Sequence, residues 1–198
     1  KYYISFGFTD FIICAGYKKN EIKKFFTYNK ISKTNINVVN TGINTMTGGR
    51  VKKIKKYLKN DENFFLTYGD GLSNINIKKL YQLHLQKKKI VTLSAVKPYS
   101  KFGIVNFSQK DKFKINSFKE KPKSYFINGG FFVVSSKVFK YLKNSKSIFE
   151  FDCLQKLAKI NQLIGYKHNG FWHCLDTMRD KEDLNSMWKR NPLWKNWK

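Results

Sequence analysis

Phe64-Phe65-Leu66-Thr67-Tyr68-Gly69-Asp70-Gly71 decides how this sequence folds. A short apolar run with the length of a buried strand leads directly into Gly-Asp-Gly. In open α/β sheets ligands gather outside the carboxyl ends of the strands. Glycine there lets the backbone turn sharply and lets a ligand approach it closely. An aspartate held at that point suits a hard divalent cation such as Mg²⁺, which takes oxygen ligands and phosphates. On its own the same pattern also fits an ordinary turn, since Asp and Gly dominate turns. Its meaning therefore depends on the surrounding chain.

Comparable apolar runs recur at residues 11–15, 36–39, 90–95 and 131–134, with helical patterns between several of them. After Gly16, Asn20-Glu21 predicts the opening of a helix running to Phe26. Val51, Ile54 and Leu58 lie on one stripe of an amphipathic helix that follows Gly48-Gly49, and Leu80, Leu83 and Leu85 mark a further helix ending near residues 86–89. This alternation predicts βαβ units and a mainly parallel sheet. The second half differs in character. Residues 103–107 and 112–118 are short, alternating and separated by polar turns, as antiparallel strands are, and a helix at 151–160 precedes a strand at 163–168. A last helix at about 180–189, capped by Thr177, is expected to bury Leu184 and Trp188. With no internal repeat and no low-complexity linker, residues 1–198 read as a single α/β domain carrying an added antiparallel layer and a C-terminal helix.

The chain has 39 basic and 13 acidic residues, a net charge of +26. Such an excess suggests a nucleic-acid partner or an anionic membrane surface. Arg, however, occurs only at Arg50, Arg179 and Arg190. Groove readout leans on the planar Arg fork, and the lysines are spread along the chain instead of forming a patch. Lys, Asn, Ile, Phe and Tyr are abundant together, so A/T-rich coding explains the charge without a nucleic-acid partner. No apolar run approaches the ~18 residues of a membrane helix. Cys14, Cys153 and Cys174 form no pairable framework, which fits a reducing compartment where free cysteine packs as a small hydrophobe. His168, His173 and Cys174 match no zinc-binding spacing.

Four further segments carry candidate chemistry. Thr45-Met46-Thr47-Gly48-Gly49-Arg50 opens a helix, where free amides and a guanidinium suit a phosphate or a base edge. In Phe118-Lys119-Glu120-Lys121-Pro122-Lys123, a lysine fixed by proline can hold a phosphate. In Ile127-Asn128-Gly129-Gly130-Phe131, glycines interrupt an apolar strand and Asn128 can both donate and accept toward sugar hydroxyls. The run from Gly170 to Asp180, GFWHCLDTMRD, offers Asp176 as a second metal carboxylate.

The collinear series DFIICAGYK, NTMTGGR, TYGDG, EKPK, INGGFFV and GFW-x₂-LDT-x-RD closely resembles the glucose-1-phosphate cytidylyltransferases, a branch of the sugar-1-phosphate nucleotidyltransferases. The resemblance implies a Rossmann-like nucleotidyltransferase sheet and a Mg²⁺-dependent reaction of CTP with α-D-glucose 1-phosphate, giving CDP-glucose and pyrophosphate. It implies metal ligation by Asp70 and Asp176 and nucleotide contacts from Thr45 and Arg50. It places Lys121 on the sugar phosphate, and Asn128, Gly129 and Glu150 on the sugar. A cytoplasmic homo-oligomer making dideoxysugar precursors for surface polysaccharide, without nucleic-acid or membrane partners, is also implied. Members of the family begin with a Gly-rich AGG-x-GTR loop after their first strand. These 198 residues do not contain it, so an N-terminally truncated domain with poor nucleotide binding and little turnover is expected. Two other readings are a basic nucleic-acid-binding module, with steeply salt-dependent DNA binding, and a non-catalytic relic of the transferase fold.

Overall fold

The computed structural model describes residues 1–58, 62–98, 103–120 and 125–197. In chain order the regular elements are β1 (Asp10–Ala15), α1 (Lys19–Tyr28), β2 (Asn35–Asn40), α2 (Thr47–Ile54), β3 (Asn63–Thr67), β4 (Gly71–Ser73), α3 (Ile77–Lys87), β5 (Val91–Val96), β6 (Ile104–Phe107) and β7 (Ile115–Lys119). They continue with β8 (Ile127–Ser135), a π-helical turn (Phe149–Leu154) leading into α4 (Gln155–Lys159), β9 (Leu163–His168), β10 (Trp172–Cys174) and α5 (Met178–Arg190). The strands foreseen from apolar runs all form.

The expected mainly parallel sheet is instead mixed. β8 lies between β3 and β5 and runs antiparallel to both, while β5 and β9 are parallel. β3, β5 and β9 therefore share one direction, and β8 opposes it. β1 and β2 form a separate parallel pair spanned by α1, β6 pairs with β7 as an antiparallel hairpin, and β4 pairs antiparallel with β10. The departure has a plain cause. An apolar run shows that a strand is buried on both faces, but carries no record of its direction.

Successive side chains of a strand point to opposite faces, and β8 supplies both halves of the core in this way. Phe132 and Val134 join Val51, Ile54, Phe64, Val91, Phe149 and Leu157 on one side. Phe131 and Val133 join Ile75, Ile77, Leu80 and Val96 on the other. α2 and the π-helical turn thus cover one face and α3 the other. Among the described residues, no helix is long and apolar enough to cross a membrane.

Helix ends are specified locally. The Asn76 side chain accepts from the Lys79 amide at 2.9 Å to open α3. Thr177 and Asp180 form a reciprocal capping box at the start of α5. Caps of this kind contribute about 1 kcal/mol each. Leu184 is buried as foreseen, whereas Trp188 stays 50% exposed. Trp188 stacks on Trp194, which is buried and stacks in turn on Phe171, so aromatic contacts rather than core burial fasten the end of α5.

The buried stripe of α3 is Ile77, Leu80 and His84, with Leu85 left exposed. His84 is tolerated because both ring nitrogens have partners, Nδ1 with Thr92 Oγ1 at 2.8 Å and Nε2 with Asn63 Oδ1 at 3.0 Å. An amide oxygen can only accept, so Nε2 carries the proton and Nδ1 accepts from the Thr92 hydroxyl. Burial lowers the His84 pKa from 6.5. The unfolded chain then takes up a proton at a higher pH than the fold, so stability is full above pH 6.5 and declines as pH falls below it. Urea unfolding at neutral and mildly acidic pH is expected to show this loss, with a smaller pH dependence in His84→Asn.

Candidate active site

Because β8 opposes its neighbours, its beginning meets their ends. Thr67, at the end of β3, pairs with Phe131, and Val96, at the end of β5, pairs with Ile127. The Tyr68 amide and the Thr67 hydroxyl both donate to the Gly130 carbonyl, at 3.0 and 3.2 Å. TYGDG and INGGFFV thus share one edge of the sheet. β10 is the third participant. The Trp172 indole donates to the Gly129 carbonyl at 2.8 Å, Cys174 stands opposite Gly71, and the Leu175 amide donates to the Asp70 carbonyl at 2.9 Å.

This pairing brings Asp70 and Asp176 together at the mouth of the sheet. A carboxylate oxygen of each, with the Cys174 sulfur, forms a group whose atoms all lie within 4.8 Å of one another. Both aspartates are exposed and Cys174 is partly buried. Oxygen donors from two carboxylates, open to solvent on one side, fit a hard divalent cation that keeps waters and phosphate oxygens as its other ligands. Burial, a hydrogen bond to Asp176 and the charges of Asp70, Asp176 and Asp180 push the Cys174 thiol up to about 12.

A second polar network joins TMTGGR to this edge. The Tyr68 hydroxyl donates to Glu150 Oε1, and the Thr47 hydroxyl donates to Glu150 Oε2 at 3.0 Å. Thr47 Oγ1 also accepts from the Phe149 amide at 2.9 Å. Burial, the hydrogen bond to Glu150 and the negative charges of Glu150 and Asp70 hold the Tyr68 phenol far above its ordinary range, so it remains a donor. Glu150 is thereby engaged by protein donors on both oxygens.

The start of α2 differs from its sequence expectation. Met46 is the residue before the first turn, and the Gly49 amide is taken by the Ser147 carbonyl at 2.9 Å instead of being left free. A Cβ on Gly49 would lie 2.4 Å from the Ser145 carbonyl oxygen, so this glycine serves close packing on the 145–149 segment. Gly129 is similar, with Ser94 Oγ and Val96 Cγ1 filling the space at 2.6 and 2.7 Å. Arg50 donates to Thr41 Oγ1 at 2.5 Å and to the Ile43 carbonyl at 3.3 Å. The buried Thr45 donates to the Thr41 carbonyl at 2.6 Å and receives Lys53 Nζ at 3.1 Å. Both residues therefore shape the 41–45 loop. Asn128 Oδ1 accepts from the Gly130 amide at 2.9 Å. Lys121 lies outside the described residues.

Residues 2–188 match the family described as Nucleotidyl transferase. The chain belongs to this family. It is 35% identical over 221 aligned positions to the glucose-1-phosphate cytidylyltransferase of Salmonella typhi, covering 100% of this chain and 85% of that protein. It is 36% identical over 220 positions to the probable glucose-1-phosphate cytidylyltransferase of Bacillus subtilis (strain 168), with the same coverage. It is therefore a homologue of the glucose-1-phosphate cytidylyltransferases. Among solved structures, HddC from Yersinia pseudotuberculosis complexed with GMP-PN superposes with a TM-score of 0.72 at 20% identity, over 94% of this chain and 82% of that one. That likeness establishes a shared α/β nucleotidyltransferase fold.

In this nucleotidyl transferase Tyr68, Thr47, Trp172 and Cys174 also belong to the site; each lies inside a quoted motif, but its residue type alone does not mark it. Two substitutions probe the assembly. Gly49→Ala is expected to destabilise the fold by about 1–3 kcal/mol, because the 145–149 segment must shift. Tyr68→Phe removes a hydrogen bond to a charged group, an expected loss of about 1.5–3 kcal/mol if the carboxylate finds no other donor. Urea denaturation measures both.

Proposed function

We propose that this nucleotidyl transferase serves the joining of CTP to glucose 1-phosphate, giving CDP-glucose and pyrophosphate, with residues 1–198 supplying the metal and sugar sides of the transferase site. The observation that carries the reading is the convergence of Asp70 and Asp176 at the sheet edge that also presents Asn128 and Gly129. The homologues named glucose-1-phosphate cytidylyltransferase support the choice of base and sugar.

In the reaction a phosphate oxygen of the sugar forms a bond to the α-phosphorus of CTP while the bond from that phosphorus to the bridging oxygen breaks. Pyrophosphate leaves in line. Such a transfer needs positioning and charge neutralisation more than a covalent nucleophile. Asp70 and Asp176 would hold Mg²⁺, which neutralises the phosphates when bound. Lys121 would bind the sugar phosphate. Asn128 and the backbone at Gly129 would face the sugar, with Trp172 fixing the Gly129 carbonyl. Glu150, tied to Tyr68 and Thr47, would border the sugar as a rigid wall. Arg50 and Thr45 would present the 41–45 loop to the nucleotide, and the guanidinium donors not used within the loop remain to meet it.

Ligand-observed NMR with CDP-glucose tests this reading, since it detects weak binding and the product touches metal, sugar and base sides together. Binding by the 198-residue chain is expected to require Mg²⁺, to exceed that of UDP-glucose, and to weaken about tenfold or more in Asp176→Asn, about 1.4 kcal/mol. Binding that is indifferent to Mg²⁺ and to both Asp70→Asn and Asp176→Asn overturns it.

A further inference from the structure

We propose that Cys174 is a third protein ligand to the divalent cation held by Asp70 and Asp176, so that this site favours thiophilic ions of the Co²⁺ and Zn²⁺ class over Mg²⁺. The inference rests on the reading of the two carboxylates as metal ligands, and its test separates the two.

The backbone fixes the thiol beside both carboxylates. Cys174 is in register with Gly71 across β4 and β10, and the next residue, Leu175, donates its amide to Asp70. Asp70 adjoins the residue paired with Cys174, and Asp176 lies two residues beyond Cys174 along the chain. The three donor atoms lie within 4.8 Å of one another. A cation bound at about 2.3 Å from sulfur and about 2.1 Å from carboxylate oxygen draws its donors to roughly 3–4 Å apart. Small side-chain rotations close that difference.

His173 does not compete for the position. Strand alternation turns it to the opposite face from Cys174, and its Nδ1 contacts the Cys174 carbonyl at 2.8 Å. The other two thiols are placed elsewhere, Cys153 on the buried side of the π-helical turn and Cys14 within β1. Among the described residues no other group of three such side chains is close enough to share an ion.

The chemistry follows from donor softness. Carboxylate and water ligands suit Mg²⁺, Ca²⁺ and Mn²⁺, whereas thiolate selects softer ions. A bound transition-metal ion takes the place of the thiol proton, and the liberated proton goes to solvent. One sulfur with two carboxylates leaves open positions for water or phosphate oxygen, so the added ligand shifts metal preference without closing the site.

Titration of the reduced 198-residue chain with Co²⁺, followed by ultraviolet–visible absorption, tests the assignment. A thiolate-to-cobalt charge-transfer band is expected in the unaltered protein and in Cys14→Ser and Cys153→Ser. Cys174→Ser is expected to lose the band, to keep Mn²⁺ binding by electron paramagnetic resonance, and to weaken Co²⁺ by roughly tenfold or more. A band that persists in Cys174→Ser overturns the proposal. Co²⁺ or Mn²⁺ binding without any band overturns it while leaving the carboxylate site intact. Absence of binding by either ion overturns both readings. Cadmium-113 NMR of the unaltered protein gives the same decision without a variant, since a strongly deshielded resonance marks sulfur ligation and its absence denies it.

Discussion

The antiparallel insertion of β8 between β3 and β5 is the constraint on which the rest of the molecule depends. A strand pointing the same way as its neighbours would place Asn128–Gly130 at the far end of the sheet from Asp70. Reversal instead sets the start of β8 against the end of β3, with Phe131 opposite Thr67. The same strand is buried on both faces and feeds alternate side chains to the two halves of the core. Site geometry and core packing therefore share one set of hydrogen bonds. A register slip of one residue would exchange Phe131 and Phe132 between faces and detach Gly129 from Trp172.

Onto that frame the site is tied by hydrogen bonds more than by loops left free to move. Tyr68, Glu150 and Thr47 connect the end of β3 to the start of α2 and to the π-helical turn. π-Helical turns recur at functional sites because an extra residue per turn redirects a side chain, and here Phe149–Leu154 carries the carboxylate that accepts from both hydroxyls. Removing one partner of a partly buried carboxylate costs more than the net worth of one hydrogen bond, since the desolvation of the remaining group is no longer offset. This explains why TMTGGR and TYGDG act as one unit although about twenty residues separate them along the chain.

Much of this was legible in the sequence, and what was not has identifiable causes. Period-two and continuous apolar runs located the strands, and the Thr177 cap located α5. Strand direction leaves no such trace, so β8 carries the same apolar signature as a strand of the expected parallel sheet. β4 and β10, at three residues each, are too short for periodicity to register. His84 escaped notice because its burial depends on Thr92 and Asn63, which are distant in sequence or hidden on a neighbouring strand. The free amides expected at the start of TMTGGR and the glycines of INGGFFV both suggest room for a ligand. At Gly49 and Gly129 the space is taken by the chain itself. The order of the motifs pointed to Asp70 and Asp176, but the entry of Cys174 beside them is a product of the β4–β10 register, which residue identities alone do not disclose.

The charge of +26 illustrates how far a global quantity can stand from a local one. Tyr68 and Cys174 both have their pKa values raised in a protein with three times as many bases as acids. Burial is the first cause in each case, and the second group of causes is the nearby acids: Glu150 and Asp70 for Tyr68, and Asp70, Asp176 and Asp180 for Cys174. Lysines spread over an exposed surface are screened within about 8–10 Å, whereas carboxylates a few ångströms away act within that range. The site is thus an acidic cluster in a basic protein. The surrounding field draws polyphosphates toward the surface, and the local carboxylates would repel those same phosphates unless a divalent cation stood between them. That opposition, more than the net charge itself, is the electrostatic signature that fits a metal-assisted phosphoryl-transfer site.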